Sequence, residues 1–511
     1  MMESSYSRTS LLCIDRTKVS CDKPYYALDT ALSVPSTIYA YYIMTSDRTP
    51  EYGPYPSPSL VLTDKMKSLN DAIRRQQLPL LEAVQTLVRI PSVIEEPVAG
   101  CPFGRPIDEA LHSVLSIAEG LGFRTVYEAG GYYGYAEIDS GEQMIGVLGH
   151  VDVVPPGSLE SWQSAPFTPE LRSERLYGRG TQDNKGPLLA ALFAAKALLD
   201  CDQPLNKRVR YIFGTDEESL WRGIRRYREH EELPTIGFSP DASFPLVYAE
   251  KGLLQCYLET DKPAPLHLSA GEALNAVPDL AVYSGNLHAG LSAQLDLLGY
   301  PYRAEDGQIA VQGKAAHAME PEKGANAICR LAIALDKIGV HSAAIRFLAE
   351  MIGEDPYASE IFGSCQDEPS GQLRLNAGQI YLGDTQRLGL DIRIPVTKEK
   401  AHIVEQLVEA GSRYGLSYRQ YDWEGPLYFP AEHLLVRKLL AVYREQTGDH
   451  SSPPISSGGA TYARSVPNCL AFGANFPGHP DVEHRPNEYI ALADMYKALG
   501  IYAYTLLALL D

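Results

Sequence analysis

An apolar run, Met144 to Leu148, leads directly into Gly149-His150-Val151-Asp152-Val153-Val154-Pro155-Pro156-Gly157. The run has no polar face and is short, so it reads as a strand buried on both sides. Strands of that kind belong to parallel sheets covered by helices. A histidine and an aspartate then emerge at the strand's C-terminal edge, where open α/β sheets bind ligands. Positions i and i+2 of an extended segment point the same way. One imidazole and one carboxylate on one face make half of a metal site.

The surrounding chain repeats this pattern. Helix signals run from Ile107 to Leu121, and strand signals from Phe123 to Glu128 and from Tyr133 to Ile138. Pro187 to Leu199 is apolar nearly all round, with its proline at a tolerated first-turn position. A helix of that composition is buried against a sheet. Val209 to Gly214 reads as a second buried strand and runs into Thr215-Asp216-Glu217-Glu218-Ser219. Alternation of this kind predicts an α/β fold with a mostly parallel mixed sheet covered by helices.

From about residue 257 to 428 the texture changes. Strand-like runs at Gln308–Gly313 and Gln386–Ile394 interleave with helical stretches near Gly324–Ile338 and Lys398–Tyr414. This predicts an inserted α+β domain over 257–428, with 66–256 and 429–511 forming the domain that it interrupts. Residues 1–65 are rich in Ser, Thr, Tyr and Pro and lack helical periodicity, as in Glu51-Tyr52-Gly53-Pro54-Tyr55-Pro56. That composition predicts a disordered or non-native extension.

A chain of 511 residues, 45% hydrophobic and 21% charged, has ample apolar material for two cores. Its net charge of -19 argues against nucleic acid and anionic membrane surfaces as partners. The eight cysteines are scattered without a CxxC pair, which suggests reduced thiols and a cytoplasmic setting. No apolar run reaches membrane-spanning length, and the N-terminus lacks the basic-then-apolar pattern of a secretory leader.

The acids and histidines expected at strand ends are His150, Asp152, Asp183, Glu217, Glu218, Asp241 and, near the C-terminus, His484. Imidazole and carboxylate without thiolate suit zinc, manganese or cobalt. The set is too large for one tetrahedral ion. A carboxylate bridging two ions accounts for the surplus, since such a pair can share and activate a water. Taken singly, an aspartate after a strand is more often a cap or turn residue. Adjacent Glu217 and Glu218 would be costly after a buried strand without cations. Spacing alone does not assign roles among them.

The segments GHVDVVPPG, LYGRGTQDNKGP, GTDEES, SPDASFP and VEHRPNE resemble, in order, the motifs of the M20 metallopeptidases, in particular the PepV/Sapep-type dipeptidase branch. The resemblance covers roughly residues 66–511. It implies one ion held by His150 and Asp241, a second by Glu218 and His484, and Asp183 bridging them. Asp152 would orient His150, and Glu217 would be the general base; the reverse assignment of Glu217 and Glu218 is open from sequence, and the family order favours Glu217 as base. In the insert, His317 matches a lid histidine that stabilises the oxyanion, Asn275 an asparagine that assists it, and Arg393 an arginine that grips the substrate carboxylate. Gly458 and Gly459 match a turn whose amides can meet that carboxylate. The bland readings are a strand-end salt bridge for Arg393 and a tight turn for the glycines. Asn184 stands where many members carry a second acid. His479 competes with His484 as ligand, and the motif favours His484.

The resemblance implies two divalent ions per chain, Zn²⁺ or Mn²⁺, and hydrolysis of dipeptides by a water shared between them. An enlarged lid of this kind implies a self-contained monomer. The alternatives are an M20-type amidohydrolase that removes an acyl group from an amino acid, and a non-catalytic peptide-binding member of the fold. Retention of Glu217 argues against the latter. A serine or cysteine hydrolase finds no support, since GxSxG is absent and no cysteine sits in a nucleophile context.

Overall fold

The strand Met144–His150 is buried along its whole length. It pairs in parallel with Arg208–Gly214 on one side and with Ile236–Ser239 on the other. Ile236–Ser239 pairs in parallel with Cys469–Ala471. Four neighbouring strands therefore end on one edge, and the register sets His150 opposite Gly214. Tyr133–Ile138 and Arg124–Tyr127 extend one margin antiparallel, and Val247–Glu250 and Leu427–Tyr428 extend the other. The sheet is mixed, parallel at its centre and antiparallel at its margins. The computed structural model of the chain describes residues 64–138, 140–201 and 205–510. The extension expected over 1–65, its last two residues apart, lies outside them.

Helix Lys185–Leu199 is buried nearly all round, as its composition requires. It packs on the sheet beneath helices Asp64–Val88 and Leu492–Leu510. Leu188, Leu192, Val147, Ile212, Phe238 and Leu499 share this first core. Its close approach to the sheet depends on Gly149, where a Cβ would lie 2.5 Å from Asn184 Oδ1 and 2.8 Å from Leu188 Cδ1.

The chain leaves this sheet after Glu250 and enters a second, five-stranded antiparallel sheet. Its order is Leu268–Ala270, Arg374–Leu382, Gln386–Ile394, Gly252–Thr260, Ser417–Glu424. Helices Ala327–Lys337 and Lys400–Arg413 contribute to a separate core with Leu254, Leu331, Leu390 and Leu407. The return strand Leu427–Tyr428 pairs with Val247–Glu250, so both crossings between the cores are adjacent. The register Leu253↔Arg393 then places Arg393 at the crossing end of the second sheet. Among the described residues no helix is long and apolar enough to cross a membrane, and all six cysteines are free.

Candidate metal centre

The parallel strands bring their terminal residues together. His150 closes its own strand, Glu217 and Glu218 follow Arg208–Gly214, and Asp241 follows Ile236–Ser239. Asp183 lies in the loop before helix Lys185–Leu199, and His484 lies in the loop before strand Tyr489–Ala491. His150 Nε2 stands 3.0 Å from Asp183 Oδ1 and 3.5 Å from Asp241 Oδ2. His484 Nε2 stands 2.8 Å from Asp183 Oδ2 and 3.1 Å from Glu218 Oε2. The two oxygens of Asp183 thus face the two histidines separately.

The surroundings fix these side chains. His150 Nδ1 lies 2.9 Å from the backbone carbonyl of Asp152 and 3.5 Å from its carboxylate. Nδ1–H therefore donates to the nearer carbonyl, and Nε2 is free to ligate. The Asp152 carboxylate has a further task, since its Oδ2 accepts the Glu218 amide (3.1 Å). Sequence reasoning gave Asp152 only the orientation of His150; here the carbonyl makes the shorter contact and the carboxylate ties the Glu217–Glu218 turn to it. The same turn is braced by Asp216, which takes both Nε and Nη2 of Arg222 (2.7 Å each). His484 has φ 60°, a left-handed backbone that costs a residue with a Cβ roughly 1–3 kcal/mol. Its side chain is 45% exposed whereas that of His150 is 0% exposed, so the His484 side opens to the cleft.

Burial dominates the electrostatics. It pushes the Glu217 carboxyl well up, with Asp241 and Glu218 adding to it, although His150 opposes. Burial, then Asp183, raise Glu218 to about 7. Burial opposes ionisation of Asp183 too, but His150 and His484 outweigh it and hold Asp183 well below the usual range. For His150, burial disfavours the charged ring, yet Asp241, Asp152 and Asp183 prevail and raise it. So many buried carboxylates cannot all ionise without cations.

The donor set fits divalent metal. His150, Asp183 and Glu218, and likewise His150, Glu217 and Asp241, offer ligand atoms that lie within 4.8 Å of one another. Glu218 Oε1 is buried without a hydrogen-bond partner, a lone-pair donor that a cation would satisfy by coordination. Glu217 is close enough to ligate. Asn184 donates from Nδ2 to the Pro240 carbonyl (2.8 Å) and does not line the cleft that opens on the cluster. His479 pairs with Asp494 (2.6 Å), apart from the cluster.

A cleft of about 950 Å³ opens on the cluster. Asp183, Glu217, Glu218, Asp241 and His484 line one side, and Asn275, His317 and Arg393 line it from the inserted domain. His150, Asp152 and Gly458 do not reach its wall, while Gly459 does. His317 is held by pairing of Ala316–His317 with Ala276–Val277, which adjoins Asn275. Its Nδ1 accepts the Met319 amide (3.1 Å), so Nε2 carries the hydrogen. Arg393 gives Nε and Nη2 to Asp391 (2.6 and 3.1 Å) and Nη1 to the Gly458 carbonyl (2.9 Å). The salt bridge and the place on the cleft wall thus coexist, with two of its five N–H bonds left over. The Gly459 amide donates to Ser457 Oγ (2.9 Å).

Sequence reasoning passed over Trp221, Lys314 and Glu483, which also line the cleft. It passed over Glu488 as well, which is fully buried beneath the Asp183 loop. Glu488 closes the VEHRPNE segment that carries His484, but nothing in the sequence tied it to the Asp183 loop.

Residues 146–508 match the family model of peptidase family M20/M25/M40. The Bacillus subtilis (strain 168) protein named "Putative dipeptidase YtjP" is 38% identical over 458 residues, spanning 85% of this chain and 97% of its own length. "Putative dipeptidase SH1171" of Staphylococcus haemolyticus (strain JCSC1435) is 31% identical over 460 residues, spanning 84% and 97%. Among solved structures, the M20 family metallo-carboxypeptidase Sso-CP2 from Sulfolobus solfataricus shares the fold, with TM-score 0.55 at 20% identity over 84% of this chain and 98% of that one. This chain belongs to peptidase family M20/M25/M40 and is a metal-dependent peptidase.

Proposed function

We propose that this peptidase is a dinuclear dipeptidase. The observation that carries the reading is the shared cleft: Asp183, flanked by two imidazoles, faces His317 and Arg393 of the same chain across about 950 Å³. His150 and Asp241 would hold one ion, Glu218 and His484 the other, and Asp183 both. Relatives whose names carry the word dipeptidase support the substrate class.

Two divalent cations held there, Zn²⁺ or Mn²⁺, would supply Lewis acidity for the scissile carbonyl and would lower the pKa of a bound water. Glu217 takes a proton from the attacking water and returns it to the leaving amine, a role open to a carboxylate set among the ligand atoms. His317 Nε2–H donates to the developing oxyanion, with Asn275 beside it. The remaining N–H bonds of Arg393 hold the substrate carboxylate, with Gly459 on the same wall but its amide kept by Ser457 Oγ. The second core, built from residues between Leu254 and Leu416, supports reading 257–428 as a lid between 66–256 and 429–511. Free cysteines support a reducing, cytoplasmic setting.

The test is a panel of dipeptides, tripeptides and N-acyl amino acids, run on chelated enzyme reloaded with Zn²⁺ or Mn²⁺. Dipeptides are expected to be cut only after reloading. Glu217→Gln should lower kcat by roughly 10²–10⁴ while retaining metal. Full turnover by that variant would remove Glu217 as base, and exclusive turnover of N-acyl amino acids would replace the dipeptidase reading.

A further inference from the structure

Directly behind the cluster lies a carboxylate with no part in the chemistry above. Glu488 is fully buried. Its Oε1 accepts three amides of the loop that carries Asp183: Gly180 (3.0 Å), Gln182 (2.9 Å) and Asp183 itself (3.2 Å). Its Oε2 accepts Nη1 of Arg179 (2.6 Å), whose side chain is 1% exposed. The loop needs such an acceptor. Gly180 has φ 90°, so the backbone there follows neither helix nor strand, and its amides find no regular partners.

Glu488 also follows His484 by four residues. The stretch between them is pinned by Asn487, whose side chain accepts the Gln163 amide (2.7 Å) and donates to the Ser161 carbonyl (2.8 Å). The Gly178 amide donates to the Glu488 carbonyl (3.0 Å), and strand Tyr489–Ala491 pairs with Arg175–Tyr177. The Asp183 loop and the His484 loop are thus joined at Glu488. Across that joint the two side chains meet at 2.8 Å.

We infer that Glu488, braced by Arg179, is a positioning residue: the joint it makes between the two loops sets the spacing of Asp183 and His484, and with it the affinity for the ion those residues share with Glu218. The inference rests on the two-ion reading. A fully buried ion pair is a poor source of stability compared with apolar packing. Its presence here is explained by the three amides and the loop spacing that it fixes.

The experiment is calorimetric titration of the chelated full-length protein with Mn²⁺ or Zn²⁺, wild type against Glu488→Gln, alongside melting curves of the metal-free proteins and steady-state kinetics at rising metal concentration. Glutamine keeps an acceptor for the amides but loses the charge that Arg179 needs. Wild type is expected to take two ions. The variant should take the first as wild type does and the second roughly 10–100-fold more weakly, as loss of outer support to ligands generally costs. Excess metal should restore kcat with KM unchanged. Second-ion affinity within twofold of wild type, whatever the melting temperature does, overturns the inference. Wild type taking a single ion would sink the two-ion reading, and the positioning role would then stand or fall on that ion's affinity. Should Glu488→Gln fail to fold, Arg179→Gln leaves the three amide bonds in place and is expected to weaken the second ion in the same direction; unchanged affinity there is equally fatal.

Discussion

His317 accepts the Met319 amide at Nδ1, and its environment keeps the ring neutral. Burial among protein atoms, then the Arg393 guanidinium, lower its pKa to about 4, although the ring edge reaches the open cleft. A neutral ring with hydrogen on Nε2 is a donor that needs no protonation, so it should serve across the neutral range. Nitrogen chemical shifts of His317 should report the Nε2–H tautomer down to about pH 5 and protonation only near pH 4. The unfolded imidazole binds its proton at about pH 6.5, so between there and pH 4 the unfolded state holds more protons than the folded one. The contribution of His317 is therefore complete above that window and is lost as pH falls through it. His317→Gln should flatten this part of the stability profile. The same change should lower kcat by roughly 10²–10³. Titration of His317 near pH 6.5 would contradict the neutral donor.

At the scale of elements, the margin of the first sheet is held by a buried ion pair. Register sets Glu137 opposite Arg210. The Glu137 carboxylate takes Nε and Nη2 of Arg210 (2.7 and 2.6 Å) and also pairs with Arg124. Arg210 is 5% exposed, lies 4.1 Å over the Tyr135 ring and donates to the Tyr227 hydroxyl (3.0 Å). Glu137→Ala strands that guanidinium in the interior and should cost about 3–5 kcal/mol in urea unfolding. A loss under about 1 kcal/mol would mean that water or Glu231 replaces the carboxylate. None of this was legible in the sequence, where Glu137 reads as one acid in a strand. The strands ending at His150 and Gly214 were legible, because an apolar run and the acids that follow it are adjacent in the chain. Asp183 and Asp241 were read from their motifs instead, and Asp183 lies in a loop before a helix rather than at a strand end. The support of Asp183 could not be read, because the Glu488 contact spans 305 positions. The preference of His150 Nδ1 for a backbone carbonyl was likewise invisible, since a carbonyl leaves no mark on residue type.

At the scale of the molecule, the question is whether one chain completes the site. Both crossings to the second core lie side by side, at Glu250 and Leu427. Interdomain ties hold the second core against the first: Arg225 pairs with Asp422 (2.9 Å) and with Glu424, and Arg393 reaches the Gly458 carbonyl. Arg464, paired with the buried Glu250, also donates to the Gly425 and Gly459 carbonyls (2.9 Å each), so the crossing and the glycine turn share one brace. His317 and Glu217 line one cleft in one chain, and if they act together no second copy is needed. Specific activity per chain should then stay constant on dilution from micromolar to nanomolar. Mixing offers the sharper measurement. Glu217→Gln lacks the base and His317→Ala lacks the lid donor, and each should be nearly inactive alone. If lid and base act within a chain, unfolding and refolding the two together restores nothing, because every chain still lacks one group. If a partner supplied the lid, one pairing in a mixed dimer would carry both groups, and activity would return at up to about a quarter of the wild-type level, from random pairing of equal amounts with one restored site in two. Recovery on that scale would reject the single-chain site; activity no higher than the sum of the two variants is the expected result.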